Sequence, residues 1–326
     1  MLRAKITATG SYAPERSLTN YEIEKIINTS DAWITERTGI KERRIAGESQ
    51  TTSELAYYAS IKALAECNLE PDEIDLIIVA TVSGDMPFPA TACILQKLLD
   101  AKNAVAFDIN AACSGFIYAM SIANSFIQTG TYKKVLLVGV EVLSKFLDWS
   151  DRSTCILFGD GAGAAILEPT NSENGILSTH IYSDGNLWEF IHLPGGGSKN
   201  PTSNHTIENK LHYIKMRGNE TFKVAVKTLE NLVLDTLKFN NLDPAELSLL
   251  IPHQANLRII LATAKRLGIS MDKVFVNVDK YGNTSAASIP IALDEAVRAG
   301  RIKKDDYILL EAFGAGLTWA SSLIKW

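Results

Sequence analysis

Cys113 sits in the stretch FDINAACSGF, residues 107–116, among alanines, a serine and a glycine. The apolar spacing of Phe116, Met120, Ala123 and Ile127 predicts a helix opening just after it. A thiol at a helix N-terminus lies near unpaired N–H groups and a partial positive charge, which predicts a depressed pKa and a reactive thiolate. Small neighbours leave room for a substrate carbonyl and free backbone N–H groups for an oxyanion. Residue type alone leaves a second reading open, because a buried cysteine commonly packs as a small hydrophobe. Cys67 at a helix end, Cys93 within a helical run and Cys155 opening an apolar strand read as structural.

Of the five histidines, His180, His192, His205 and His212 fall in the polar middle of the chain. His253 differs: it follows the apolar run LSLLI directly, in the segment IPHQAN, at a predicted strand's carboxyl end. Asn283 lies in GNTSAAS, a small-residue loop like AACSG. Ligands of open α/β sheets bind beyond the carboxyl ends of strands. Cys113, His253 and Asn283 thus form a candidate nucleophile, a cationic or neutral hydrogen-bond donor and an amide donor. The glycines of LFGDGAGAAILEP and EAFGAGLTW match no phosphate-binding motif. They read as tight turns and close backbone approaches, with a backbone N–H of FGAG available to the same centre.

The elements that must position these residues recur. LEPDEIDLIIVA (69–80) resembles LDPAELSLLIPH (242–253), and TGTYKKVLLVGVE (129–141) resembles AGRIKKDDYILLEAF (299–313) with two residues inserted. An amphipathic helix precedes each of the first pair, with Tyr57, Ile61, Leu64 and Ala65 on one face, and Phe222, Val226, Leu229 and Val233 on the other's. Runs such as LIIVA and VLLVG predict strands buried on both faces. The expectation is an α/β protein of two similar halves, 1–172 and 173–326, packed about a pseudo-twofold axis. Matching Gly130 to Gly300 and counting back sets Cys113 opposite Asn283, with Pro290 expected to delay or kink the second helix.

The chain of 326 residues is 46% hydrophobic and 21% charged, ordinary for a globular protein. A net charge of −5 argues against general nucleic-acid binding. No apolar run of about 18 residues suggests a membrane span, and MLRAKITATG lacks the apolar core of a signal peptide. Four widely spaced cysteines without a CxxC pair fit neither a zinc site nor a disulfide framework and predict a reducing, cytoplasmic setting.

The segments SYAPE, TSDAWITERTGI, AACSGF, FGDGAGAAIL, IPHQANLRI, YGNTSAAS and EAFGAGLTW occur in order along nearly the whole chain. Together they resemble the β-ketoacyl-acyl-carrier-protein synthase III family of thiolase-like condensing enzymes. The resemblance implies a thiolase-like fold of two βαβαβαββ-type halves in a layered αβαβα core, a homodimer, and the condensation that initiates fatty acid synthesis. It implies that Cys113 takes a short acyl group, such as acetyl, from acyl-CoA. Malonyl-acyl-carrier protein (malonyl-ACP) then loses carbon dioxide, and its carbanion attacks the thioester. His253 and Asn283 would hold the developing enolate oxygen, and the backbone N–H groups of Cys113 and Ala315 the acyl oxyanion. Many relatives have glycine at the position of Ala315.

By the same resemblance, Trp33 and Arg152 flank the CoA adenine, with Thr29 and Arg37 nearby and Asn219, Ala255 and Asn256 along the pantetheine arm. Phe313 lines the tunnel, and Phe88 reaches from the partner subunit to close the acyl pocket. Lys223, Arg258, Lys265 and Arg266 form a basic patch for the acidic carrier protein. Acyl-CoA is substrate rather than resident cofactor, and no metal is required. A related condensing enzyme of secondary metabolism, with another primer or acceptor, is the competing reading.

Overall fold

A computed structural model describes residues 2–326. The apolar runs form strands, and the strands assemble into two sheets of matching order. The first contains β1 (Arg3–Tyr12), β2 (Leu76–Ala80), β3 (Val105–Ile109), β4 (Val135–Val142) and β5 (Asp160–Thr170), in the order β1-β5-β4-β2-β3. The second contains β6 (Gly175–Ser183), β7 (Leu249–Pro252), β8 (Tyr307–Gly314) and β9 (Thr318–Lys325), in the order β7-β8-β9-β6. In each, a parallel pair (β2–β4, β7–β8) adjoins two antiparallel steps. The second sheet's counterpart of β3 shrinks to a single parallel bridge between Leu250 and Val274.

Strand periodicity then sorts the side chains into layers. Leu76, Ile78, Val135 and Leu137 point inward with Leu249, Ile251, Ile308 and Leu310 of the second sheet. Between the sheets run two helices, α4 (Gly115–Gln128) and α7 (Ser288–Arg298), whose Phe116, Met120, Ile289 and Leu293 join that core. The intervening residues Ile77, Val79 and Leu136 face outward onto α2 (Thr52–Glu66) and α3 (Thr91–Leu99). Likewise Leu250 and Leu309 face α5 (Gly218–Phe239) and α6 (Leu257–Leu267). The result is the expected α/β arrangement of layered αβαβα type. No helix among the described residues is long and apolar enough to cross a membrane.

Four expectations need correction. In α2 the buried stripe is Thr52, Leu55, Ala56, Ala59, Ala63 and Leu64, while Ile61 and Ala65 are exposed. The reason is close packing: a Cβ on Gly10 of β1 would lie 2.5 Å from the Ala59 carbonyl oxygen, so only small residues fit there. The stripe expected on α5 does bury Val226, Leu229 and Val233, whereas Phe222 is only half-buried. Pro290 neither delays nor kinks α7, because it occupies the helix's first turn, where its missing N–H has no partner to lose. Each central helix instead follows a single tight turn, Ala112–Ser114 before α4 and Ser285–Ala287 before α7. Ala112 and Ser285 both open these turns at φ 47°. Matching turn to turn sets Asn110 opposite Asn283 and Cys113 opposite Ala286. The matched Gly130 and Gly300 remain in register because α4, with 14 residues, is three longer than α7, with 11.

Candidate active site

Cys113 occupies the middle of the turn that feeds α4. Close behind it runs Gly314 of β8, where a Cβ would lie 2.7 Å from the Cys113 nitrogen. The expected depression of the thiol pKa is not met. Burial pushes it up to about 12, against a smaller lowering by the nearby Ser285 hydroxyl. Desolvation disfavours the anion more than the polar neighbour favours it.

His253 follows β7, with its backbone N–H donating to the Glu311 carbonyl (2.7 Å). The ring Nδ1 lies 2.5 Å from the Ser288 hydroxyl at the start of α7. Nε2 is buried without a protein partner. Burial lowers the ring pKa to about 3, so the imidazole is neutral rather than cationic. Gln254 fixes this corner: its side-chain nitrogen donates to the carbonyls of Pro252 and Phe275 (2.8 and 3.1 Å). Its side-chain oxygen accepts from the backbone of Asn277 and Val278 (2.9 and 3.1 Å). Every hydrogen-bonding site of a buried amide is used.

Asn283 is held by its backbone, which exchanges hydrogen bonds with Leu157 and Gly159 (2.8 and 3.0 Å). Its Oδ1 accepts from the Ser285 backbone N–H at 2.8 Å. That contact turns the oxygen away and leaves Nδ2 for the cavity.

Cys113, His253 and Asn283 line one cavity of about 280 Å³. Trp33 and Arg37, on α1 (Asp31–Thr38), line it as well, with Arg152, Asn219, Ala255, Asn256, Arg258 and Phe313. A second cavity, about 450 Å³, meets the first at Cys113 and contains Ala315 and Ser285 on its wall. Thr29 is half-buried with an unpartnered hydroxyl and lines neither cavity. The slot expected between Trp33 and Arg152 is closed. The Arg152 guanidinium stacks on the indole at 4.5 Å and also donates to the Asn28 carbonyl, while Arg37 lies 5.1 Å from the same ring. Cation and indole satisfy each other.

Phe88 is 84% exposed and reaches neither cavity of its own chain. Lys223, Arg258 and Lys265 are exposed, but Arg266 is engaged by Glu230 at 2.6 Å and is not a free cation. Sequence reasoning passed over Ser285, Ser288, Gln254 and Glu141. The two serines stand inside the GNTSAAS motif and Gln254 beside His253, so the motifs contained them. Glu141 ends an apolar strand and carries no local signal. Among the described residues, no group of three or more His, Cys, Asp or Glu is placed to hold a metal.

Two sheets of repeated order, two buried helices between them and a thiol, imidazole and amide around one cavity define a thiolase-like condensing enzyme. Family models agree: 3-oxoacyl-[acyl-carrier-protein] synthase III matches residues 107–185, and the C-terminal model of the same name matches 237–326. A β-ketoacyl-[acyl-carrier-protein] synthase III of Caldanaerobacter subterraneus subsp. tengcongensis is 56% identical over 100% of this chain and 98% of its own. The crystal structure of 3-oxoacyl-[acyl-carrier-protein] synthase III from Aquifex aeolicus VF5 is 51% identical, with a TM-score of 0.92 over 99% of this chain and 100% of that one. The priming β-ketosynthase of the R1128 polyketide pathway is more distant, 34% identical with a TM-score of 0.91 over 99% and 96%. The chain belongs to the β-ketoacyl-acyl-carrier-protein synthase III family.

Proposed function

We propose that this protein is the acyltransferase that initiates type II fatty acid synthesis, with Cys113 as acyl acceptor and His253 and Asn283 as donors to the malonyl thioester. The observation that carries the reading is convergence: Cys113, the unpartnered Nε2 of His253 and Asn283 line one cavity that also contains Trp33 and Arg152. In the first step the Cys113 sulfur attacks the thioester carbonyl of a short acyl-CoA, such as acetyl-CoA. Backbone N–H groups of Cys113 and Ala315 hold the oxyanion, and CoA departs. Malonyl-ACP then enters. Loss of carbon dioxide leaves negative charge on its thioester oxygen, and donors fixed in a water-poor site stabilise that charge by several kcal/mol.

The neutral state of His253 suits this role. With the Ser288 hydroxyl donating to Nδ1, the ring proton sits on Nε2 and points to the enolate oxygen beside the Asn283 amide. No general base is needed for carbanion formation, because decarboxylation supplies the electron pair. Residues 1–172 thus contribute the nucleophile and 173–326 the two donors.

For acyl-CoA to bind as the family pattern implies, Arg152 leaves the Trp33 face and the adenine takes its place, with Thr29 and Arg37 nearby. Asn219, Ala255 and Asn256 then accompany the pantetheine arm past Phe313. Lys223, Arg258 and Lys265 receive the acidic carrier protein, with Arg266 contributing only if Glu230 releases it. The exposed Phe88 is satisfied by a homodimer in which it closes the partner's acyl pocket. These substrates place the reaction in the cytoplasm. The similarity to a polyketide priming enzyme supports a second reading, in which the primer is not acetyl.

Intact mass measurement after mixing with acetyl-CoA tests the reading. One acetyl increment is expected, absent in Cys113→Ala. No adduct with any short acyl-CoA contradicts the first step.

A further inference from the structure

Cys113 stands where two cavities meet. The first, about 280 Å³, contains Trp33 and Arg152, the side by which CoA arrives and leaves. A thioester carbonyl carries two substituents. With the CoA sulfur on the first side, the acyl carbons lie on the second. There the cavity, about 450 Å³, is walled by Val82, Leu143, Phe146, Phe158, Ile191 and Ile214. Such a lining suits a hydrocarbon, and the volume is of the size that encloses a whole small ligand. An acetyl group has one methyl to place in it.

The second cavity ends in a partition. A third hollow, about 540 Å³, adjoins it, and Trp188, His192 and Leu193 line both. The backbone of His192 pairs with Lys215 in a short antiparallel ladder, and its ring Nδ1 lies 3.1 Å from the Glu189 carbonyl. Leu193 follows directly and precedes Pro194, which restricts its backbone to extended conformations. Trp188 has the largest side chain of the three and is 43% exposed. Its indole meets the His192 ring edge-on at 5.4 Å, and Lys199 Nζ stands 4.7 Å from the indole centroid. Contacts of this kind at an exposed site are weak. The indole is therefore the part of the partition that decides whether the two spaces are separate or joined.

We propose that Trp188 sets the longest acyl primer that Cys113 accepts, by closing the second cavity against the adjoining hollow. Without the indole, the hollow takes the tail of a medium-length straight acyl chain. The inference deepens the proposed function and rests on Cys113 being the acyl acceptor. Each methylene moved from water to apolar surroundings favours binding by about fourfold. Two methylenes housed beyond the partition therefore shift primer choice by about tenfold or more.

The test is a competition. The protein is mixed with equal concentrations of acetyl-CoA and octanoyl-CoA, and intact mass compares the two adducts on Cys113 at early times. Wild type should carry acetyl in large excess. In Trp188→Ala the octanoyl-to-acetyl ratio should rise by about tenfold or more. Should that variant not fold, Trp188→Leu decides, with a smaller rise in the same direction. Gly197 lines the hollow, and a Cβ there meets nothing within 4 Å. Adding Gly197→Leu to Trp188→Ala should therefore push the ratio back toward the wild-type value.

A wild-type protein that loads both primers equally overturns the inference, as does a ratio unmoved in folded Trp188→Ala. A gain undiminished by Gly197→Leu shows that the tail runs elsewhere and overturns it too. A gain from Phe88→Ala with none from Trp188→Ala would place the limit on the partner's Phe88 instead. In each of these outcomes an acetyl adduct leaves the proposed function standing. No adduct of either kind removes both.

Discussion

Ser288 shows how much one hydroxyl decides at the scale of the residue. It sits 2.5 Å from Nδ1 of His253 and also accepts the Gln254 backbone N–H at 3.3 Å. Its proton therefore goes to the ring, and the ring's own proton goes to the cavity side. Replacing Ser288 with Ala removes that bias without touching Cys113. Condensation with malonyl-ACP should slow by about 10- to 100-fold. Acetylation of Cys113 from acetyl-CoA should change by less than about twofold, and single-turnover measurements of each step separate the two. Equal loss in both steps would assign Ser288 to structure only. The candidate residues Cys113, His253 and Asn283 were legible because each ends an apolar run or opens a small-residue loop. The thiol's protonation was not, since desolvation depends on neighbours such as Gly314 that lie far away in sequence.

At the scale of the element, the two central helices hold the site because both are enclosed. α4 buries Phe116, Ile117, Ala119, Met120, Ala123 and Ile127 between the sheets, so its N-terminal turn cannot drift relative to β8. Phe116 is 0% exposed, three residues beyond Cys113. Phe116→Ala should cost about 3–5 kcal/mol in urea unfolding, with a raised KM for acetyl-CoA if the cavity collapses toward the turn. A cost below about 1 kcal/mol would mean that α4 is not packed as described. Strand positions and the repeat were readable from apolar runs and matched glycines. The helix stripe on α2 and the three-residue offset between the central helices were not. Periodicity finds a face but cannot see that a neighbouring strand admits only alanine, nor which of two matched helices has been shortened.

Across the whole molecule, two carboxyl groups are buried at a cost that pH should reveal. Burial raises Glu311, 1% exposed with both oxygens unpartnered, to about 8, and Glu141 to about 7. Both lie above the 4.5 of an ordinary glutamate. For each, the folded state keeps its proton while the unfolded chain has lost it. The resulting stability is full below pH 4.5 and is lost as pH rises through 7 for Glu141 and 8 for Glu311. His253 works in the opposite sense. Its folded pKa of about 3 lies below the ordinary 6.5, so its term is full above 6.5 and is lost as pH falls through 3. Urea midpoints should therefore decline from pH 6.5 to 8.5, and Glu311→Gln should remove much of the decline. An unchanged slope in that variant would show that Glu311 ionises normally in the folded protein.

On the proposed function, one cavity performs acyl capture and then condensation. Its most direct test is a chase: acetylate the protein with acetyl-CoA, remove free CoA, add malonyl-ACP, and follow intact masses of both proteins. The acetyl increment on Cys113 should disappear as an equal amount of acetoacetyl-ACP appears. An increment that persists in the presence of malonyl-ACP, or leaves as free acetate, would contradict condensation at Cys113.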